Sequence, residues 1–263
     1  MSYSRRVRRP RFWDLNPFFT FADDRNFFGG NPNLDPEFTD AYELGHIKYW
    51  DKASLSSAIY YRHTTDKIQR NSSVDSLGNF RTMPENLATE DAFGFEFNVS
   101  LNPVKWFKFN SDFNFFRSIT DGQNVNENFT ADTYTWFTRG TARFTAWKTT
   151  DIQLRFNYRG PRETTQGLAK AIASLDLAAS RDIMKGKATL TLSVRDVFNS
   201  RRRRYKTEGF DASGFAFIRE GDFQWRQRQS SLTFSYRLNQ KKRRGGGNRG
   251  GFNGGDAGGG GEF

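Results

Sequence analysis

The sequence predicts an all-β fold: an antiparallel up-and-down transmembrane β-barrel, present in part as about nine or ten strands, with long loops on one side and short turns on the other. Three observations predict it. Apolar residues recur at alternate positions, short and long connections take turns along the chain, and tryptophans gather where strands end.

Alternation is clearest in FGFEFNVSL (93–101), where Phe93, Phe95, Phe97, Val99 and Leu101 interleave with Gly94, Glu96, Asn98 and Ser100. IQLRFNY (152–158), ATLTLSV (188–194) and LTFSYRL (232–238) repeat it, and weaker versions span 55–61 and 107–115. The segments 134–147 and 168–183 are less regular, and the alanines of the second also allow a helix. Segments of ~9–11 residues suffice to cross a bilayer at ~45°. On this reading Phe93, Phe95, Phe97, Val99, Leu190, Leu192, Phe234 and Tyr236 face lipid, while Glu96, Asn98, Gln153, Arg155, Asn157 and Arg195 face a polar lumen.

The connections near 50–53, 101–105, 147–151 and 184–187 are short. Those near 64–91, 119–131, 159–169 and 199–224 are long, and the two kinds alternate strictly. A soluble sandwich has no reason to place every short turn at one end, whereas a membrane barrel does. Trp50, Trp106 and Trp147 lie at short turns, and Trp136 and Trp225 at strand ends beside long loops. Indole has an apolar ring and an N–H that seeks water, so it favours the membrane interface. The five are read as girdle residues rather than as the core of a sandwich.

Composition agrees. Only 36% of the 263 residues are hydrophobic and mean hydropathy is −0.78, yet there are 28 Phe, 9 Tyr and 6 Trp, too many aromatics for a disordered chain. A barrel reconciles the two, because only alternate residues meet hydrocarbon. No window approaches the ~20 apolar residues of a membrane helix. The stretch after Met1, SYSRRVRRP, lacks the apolar segment of a secretory leader, so at face value the chain is cytosolic unless its true start lies upstream. Net charge is +11, with basic runs at 5–11, 201–204 and 241–244. Cysteine is absent, which excludes disulfide scaffolds and thiolate metal sites.

No catalytic, cofactor or metal site is expected. His46 and His63 have no ligand spacing and read as polar wall or rim residues. The carboxylates of Asp23, Asp24, Asp121, Glu127, Asp211 and Glu220 follow no calcium-loop pattern and read as solvated loop charge. Arg201–Arg204 and the run 5–11 suit either solvent or the phosphates of lipopolysaccharide at the outer rim.

In GGNPNLDPEFTDAYELG (29–45), Pro32 and Pro36 fix their own φ angles and bias Asn31 and Asp35 to extended geometry, predicting a stiff, extended lead-in to a strand over 40–50. The segment Asn31, Pro32, Asn33, Leu34, Pro36, Glu37, Tyr42, Glu43 and Leu44 resembles the GNPNLxPE…YELG signature of TonB-dependent outer-membrane receptors. RRVRRPRFWDLNPF (5–18) resembles their outer-membrane β-barrel subfamily, and Asn86, FGFE (93–96), NYRGP (157–161), SVRDVFN (193–199) and SYRL (235–238) follow in the family's order. The resemblance covers residues 1–240.

It implies a barrel in the bacterial outer membrane that takes up a scarce ligand, with an inner-membrane energy-coupling complex acting through a plug. The ligand class stays open: small molecule, glycan or peptide. Plug, TonB box and early strands would precede residue 1, so 1–238 is expected to be the C-terminal portion of a larger barrel and 239–263 a disordered basic, glycine-rich tail. Nine strands are counted, or ten if Ser2–Arg6 ends another. Outer-membrane lipid and lipopolysaccharide are the expected surroundings, with neither nucleic acid nor enzymatic activity. Two alternatives remain open: a complete small outer-membrane pore or structural barrel, and a soluble RNA-binding protein using the RGG tail.

Overall fold

The structure is a computed structural model that describes residues 1–75, 77–210 and 216–238; the predicted tail lies outside them. The strands are β1 (Ser2–Arg8), β2 (Thr20–Asp23), β3 (Asn26–Phe28), β4 (Glu37–Trp50), β5 (Ala53–Val74), β6 (Phe80–Val104), β7 (Phe107–Asp121) and β8 (Thr130–Ala146). They continue as β9 (Thr150–Arg159), β10 (Arg162–Thr164), β11 (Gly167–Ala169), β12 (Ile172–Ile183), β13 (Ala188–Arg195), β14 (Arg203–Phe210), β15 (Ala216–Phe223) and β16 (Gln229–Tyr236). One helical turn, α1 (Phe12–Leu15), and a 3-10 turn, Met184–Gly186, complete the described residues.

Ten strands form one antiparallel wall in the order β1-β4-β5-β6-β7-β8-β9-β12-β13-β16, and the wall does not close on itself. The tenth strand is β1, which pairs Ser2 through Arg8 with Glu43 through Glu37. Of the alanine-rich segment 168–183, residues 172–183 are strand β12, paired with β9 and β13 on its two edges, while 168 and 169 belong to β11. Propensity alone leaves 168–183 ambiguous; two strand partners decide it.

Register puts the apolar positions on one face. Leu44, Ile59, Phe95, Phe115 and Trp136 are successive cross-strand partners. So are Leu101, Phe109, Ala142, Leu154, Leu177 and Val194. Leu190 and Leu192 continue this face onto Phe234 and Leu232, and Tyr236 lies opposite Ala188. From Tyr134 to Phe144 this face of β8 spans roughly 23 Å of height at ~3.3 Å per residue and ~45° tilt. That matches the ~25 Å apolar band of outer-membrane barrels. The face is uncovered: Phe95 is 36% exposed, and its ring neighbours are Phe97, Phe113 and Phe115 of the same wall at 5.5, 6.2 and 5.3 Å. Buried apolar residues are few, with Leu87 and Pro84 the largest that are fully enclosed, and both lie in the outer half of β6.

Two expectations about the connections are corrected. The described residues of 64–91 are not a loop: β5 and β6 run on as a single hairpin, paired out to Val74 and Phe80. Likewise the described residues of 159–169 and 199–224 supply the four strands of a second sheet, ordered β10-β11-β14-β15. These strands lie outside the apolar band, where each face meets water or another segment instead of hydrocarbon, so they carry no apolar alternation by which a sequence could reveal them.

The lead-in is also corrected. Instead of running extended, Asn31 through Leu34 make a turn in which the Leu34 N–H donates to the Asn31 carbonyl (3.4 Å) and the Asn33 N–H to Asn31 Oδ1 (3.0 Å). Pro32 occupies the position a β-turn favours for proline. The turn seats Leu34, 8% exposed, against the outer end of the wall, and Asn31 Nδ2 reaches the Pro84 carbonyl at 3.3 Å. Gly30 makes the close approach possible, since a Cβ there would lie 2.6–2.7 Å from backbone atoms of Asn16 and Asp14. Gly30→Ala is therefore expected to undock α1 and to speed tryptic cleavage at Arg11 about tenfold or more, the factor for ~1.4 kcal/mol. Gly45→Ala, with its nearest neighbours at 3.9 Å, should leave cleavage unchanged.

Candidate functional site

The face opposite the apolar band is concave and polar. Its trough, about 1090 Å³, is lined by residues including Asn98, Asp112, Arg139, Arg155, Asp176 and Arg201. Each is carried by alternation: Asn98 follows Phe97 and opposes Asp112, and Arg155 opposes Asp176. Acids stand beside bases across the strands. Asp112 sits 3.9 Å from Arg139, and Asp176 is 3.3 Å from Arg201. Deeper along the wall, the Tyr60 hydroxyl donates to Asn114 Oδ1 (2.9 Å) and Asn114 Nδ2 donates to Glu96 (3.4 Å), while the Arg62 guanidinium lies 4.0 Å over the Tyr60 ring. Such a surface offers donors, acceptors and compensated charge to water or to a hydrophilic body in the lumen. Among the described residues no group of three His, Asp or Glu could hold a metal ion.

The outer end of the trough is capped. The four-stranded sheet is tied to β5 by Gln166, whose side-chain amide accepts from the Ser72 N–H and donates to the Ser72 carbonyl, both at 2.7 Å. Gln69 adds a 2.6 Å bond to Thr165 Oγ1, and the Glu163 N–H reaches Thr133 Oγ1 of β8 at 3.1 Å. Phe217 packs edge-on against Phe80 at 5.5 Å, with Arg219 over the same ring. At the neighbouring hairpin tip, Asp75 accepts N–H groups from Leu77 and Asn79, each at 2.9 Å. The Asn79 N–H, foremost among several donors, holds the Asp75 carboxyl below the usual carboxylate range.

SVRDVFN contains a lock that its residue pattern only hinted at. Asp196 and Asn199 adopt left-handed φ values of 51° and 53°. Asp196 is 3% exposed, and its carboxylate accepts the N–H groups of Ser200 and Arg201, each at 2.9 Å. Asn199 Oδ1 accepts the Arg228 N–H at 2.9 Å, fastening the end of β13 to the approach of β16. Asp and Asn tolerate this backbone and cap their own turns, a signal visible in sequence but without a target there. The lock also turns Arg201 inward onto Asp176 and Ser174, so this member of the 201–204 run belongs to the trough and not to the lipid rim.

The expected interface and motif residues are spread rather than gathered. Trp50, Trp106 and Trp147 sit at the short-turn end, with exposures of 49, 56 and 82%. Trp225 lies between β15 and β16 at the other end. Trp136 is corrected: β8 begins at Thr130, so Trp136 is inside the strand, its ring tilted against Tyr158 at 4.2 Å, because the wall continues beyond the apolar band. Sequence reading missed a tyrosine line at that level, Tyr3–Tyr42–Tyr61–Phe93, with ring spacings of 5.1, 6.2 and 5.8 Å. Just above it His63 meets Asp91 at 2.8 Å, and Arg117 forms a two-toothed pair with Asp132 at 2.8 and 2.6 Å. Of the motif, Asn31, Pro32, Asn33 and Leu34 form the turn and Pro36 leads into β4. Glu37 is buried at the start of β4, and Tyr42 and Leu44 lie on the apolar face with Glu43 opposite them.

An open antiparallel wall, apolar outside and polar inside, with short turns at one end and a capped outer end, is part of a transmembrane β-barrel. The chain belongs to the outer membrane protein beta-barrel family, which it matches over residues 1–236, and its location is the bacterial outer membrane. This displaces the soluble alternative. No curated protein matches the chain.

Among solved structures it is similar to the siderophore receptor PirA from Pseudomonas aeruginosa, at 14% identity and a TM-score of 0.53, with 84% of this chain and 38% of that one aligned. The copper transporter OprC aligns at 13% identity and a TM-score of 0.56, over 89% and 36%. The ferric yersiniabactin uptake receptor FyuA from Yersinia pestis aligns at 16% and 0.53, over 88% and 33%. These likenesses establish the fold. The chain spans between 33 and 38% of the length of these three structures.

Proposed function

We propose that the chain forms the C-terminal part of the wall of a TonB-dependent receptor, which carries a ligand inward when an inner-membrane energy-coupling complex engages its plug. The observation that carries this reading is the unclosed ten-strand wall with a compensated polar trough. Alone it is too few strands for a receptor-sized lumen, and its concave face suits a hydrophilic plug better than an open channel. Outer-membrane lipid and lipopolysaccharide surround the apolar face, and the capped outer end offers the capture surface for a small-molecule, glycan or peptide ligand. The role is transport, not catalysis.

Growth of a strain lacking this gene, scored beside one lacking the coupling complex across limiting metal, glycan and peptide sources, tests it. The two strains should share a deficit on at least one source. A deletion strain whose deficits persist in cells lacking the coupling complex, or which has none in common with the coupling mutant, would favour a passive pore.

A further inference from the structure

We infer that the short-turn end of the wall is a binding surface for anionic phospholipid of the periplasmic leaflet, each turn presenting one large apolar side chain to the acyl boundary and one lysine to a phosphate. The inference rests on the reading that the apolar face meets lipid, and adds to it a choice of headgroup.

The pattern repeats in four independent turns. Trp50 comes with Lys52, Trp106 with Lys105, Trp147 with Lys148, and Met184 with Lys185. Every one of these side chains is exposed, Met184 by 60%. None of the four lysines has a carboxylate partner among the described residues. The opposite rim of the same face is built otherwise: Arg5 has Asp40, His63 has Asp91 and Arg117 has Asp132. One rim pairs its bases with carboxylates, and the other leaves four ammonium groups at headgroup level outside any ion pair among the described residues. Lysine there is drawn to an anionic membrane surface, and its stem can lie along the apolar boundary while its head reaches phosphate.

Backbone geometry gives a second observation. In two of the turns the pair itself is left-handed: Trp147 and Lys148 have φ of 48° and 58°, and Met184 and Lys185 have 52° and 55°. Such positions favour Gly, Asn or Asp, and a bulky residue there is an outlier. Both turns forgo the residues that would relax the backbone and place the same two side-chain types instead. An unfavourable backbone held twice for the same pair points to what the side chains touch.

The test uses the full chain in vesicles containing, at equal mole fraction, phosphatidylglycerol or phosphatidylcholine brominated near the headgroup. Tryptophan quenching is compared for the native chain, for K52Q/K105Q/K148Q/K185Q, and for the matching set of arginine replacements. Phosphatidylglycerol should quench the native chain about threefold more than phosphatidylcholine. Glutamine should abolish the preference, and arginine should keep it. Equal quenching of the native chain by both lipids overturns the lysine assignment and leaves the lipid-facing reading standing. So does a preference that survives the glutamine set, or loss of all lipid quenching in that set alone. Quenching by neither lipid, with full quenching by aqueous acrylamide, overturns both readings.

Discussion

Phe95→Arg is expected to block assembly into the outer membrane, while Asn98→Arg, three residues along the same strand, assembles nearly as well as the native chain. Phe95 lies in the apolar row Leu44–Ile59–Phe95–Phe115–Trp136. Among the described residues, only its own wall touches the ring. Arginine there forfeits aromatic pairs worth ~0.5–1.5 kcal/mol each and places charge in hydrocarbon, at ~2–4 kcal/mol near the midplane. Asn98 faces the trough beside Asp112, where a guanidinium finds water and a carboxylate. The measurement is the fraction of each variant recovered as a heat-modifiable, protease-resistant membrane form. Equal recovery would mean that the two faces have been exchanged.

The second large effect is expected at Glu37. This carboxylate is 6% exposed at the first residue of β4 and accepts from Arg8 of β1 (3.2 Å) and from the Ile68 N–H of β5 (3.1 Å), joining three strands at the outer end. Glu37→Ala leaves the buried Ile68 N–H without its acceptor, which costs ~1–3 kcal/mol, and removes a counter-charge from Arg8. The total should reach ~2–4 kcal/mol, read as a lower denaturant midpoint and earlier tryptic cleavage at Arg8. Glu43→Ala, on the same strand but exposed, should fall within ~0.5 kcal/mol of the native chain. Matching losses in both would reduce Glu37 to an ordinary surface charge.

Sequence reading placed the wall well and its outer end poorly. Phe93, Phe95, Phe97 and Val99 could be assigned one face because each stands two residues from the next, and Leu190 and Leu192 could be joined to Phe234 because β13 and β16 share the pattern. Asn31 through Leu34 were recognised by their motif, but the turn depends on Pro84 and Asn16, which are distant in sequence. Gln166 offers no sign that it will grip Ser72, and Asp196 none that it will aim Arg201 at Asp176.

What the sequence by itself determined is therefore the part of the chain that lies within the apolar band: its strands, their two faces and the end that carries the short turns. Hydrocarbon acts on each residue separately, so it writes a local period of two. Only the tertiary structure decided that 64–91 is a hairpin, that the late loops make a capping sheet, and that the proline-rich motif is a docked turn. Outside the band both faces of a strand meet water or another segment. Pairing there is set by partners far along the chain, such as Ser72 for Gln166 and Thr133 for Glu163, and nothing in the neighbouring residues has to announce them.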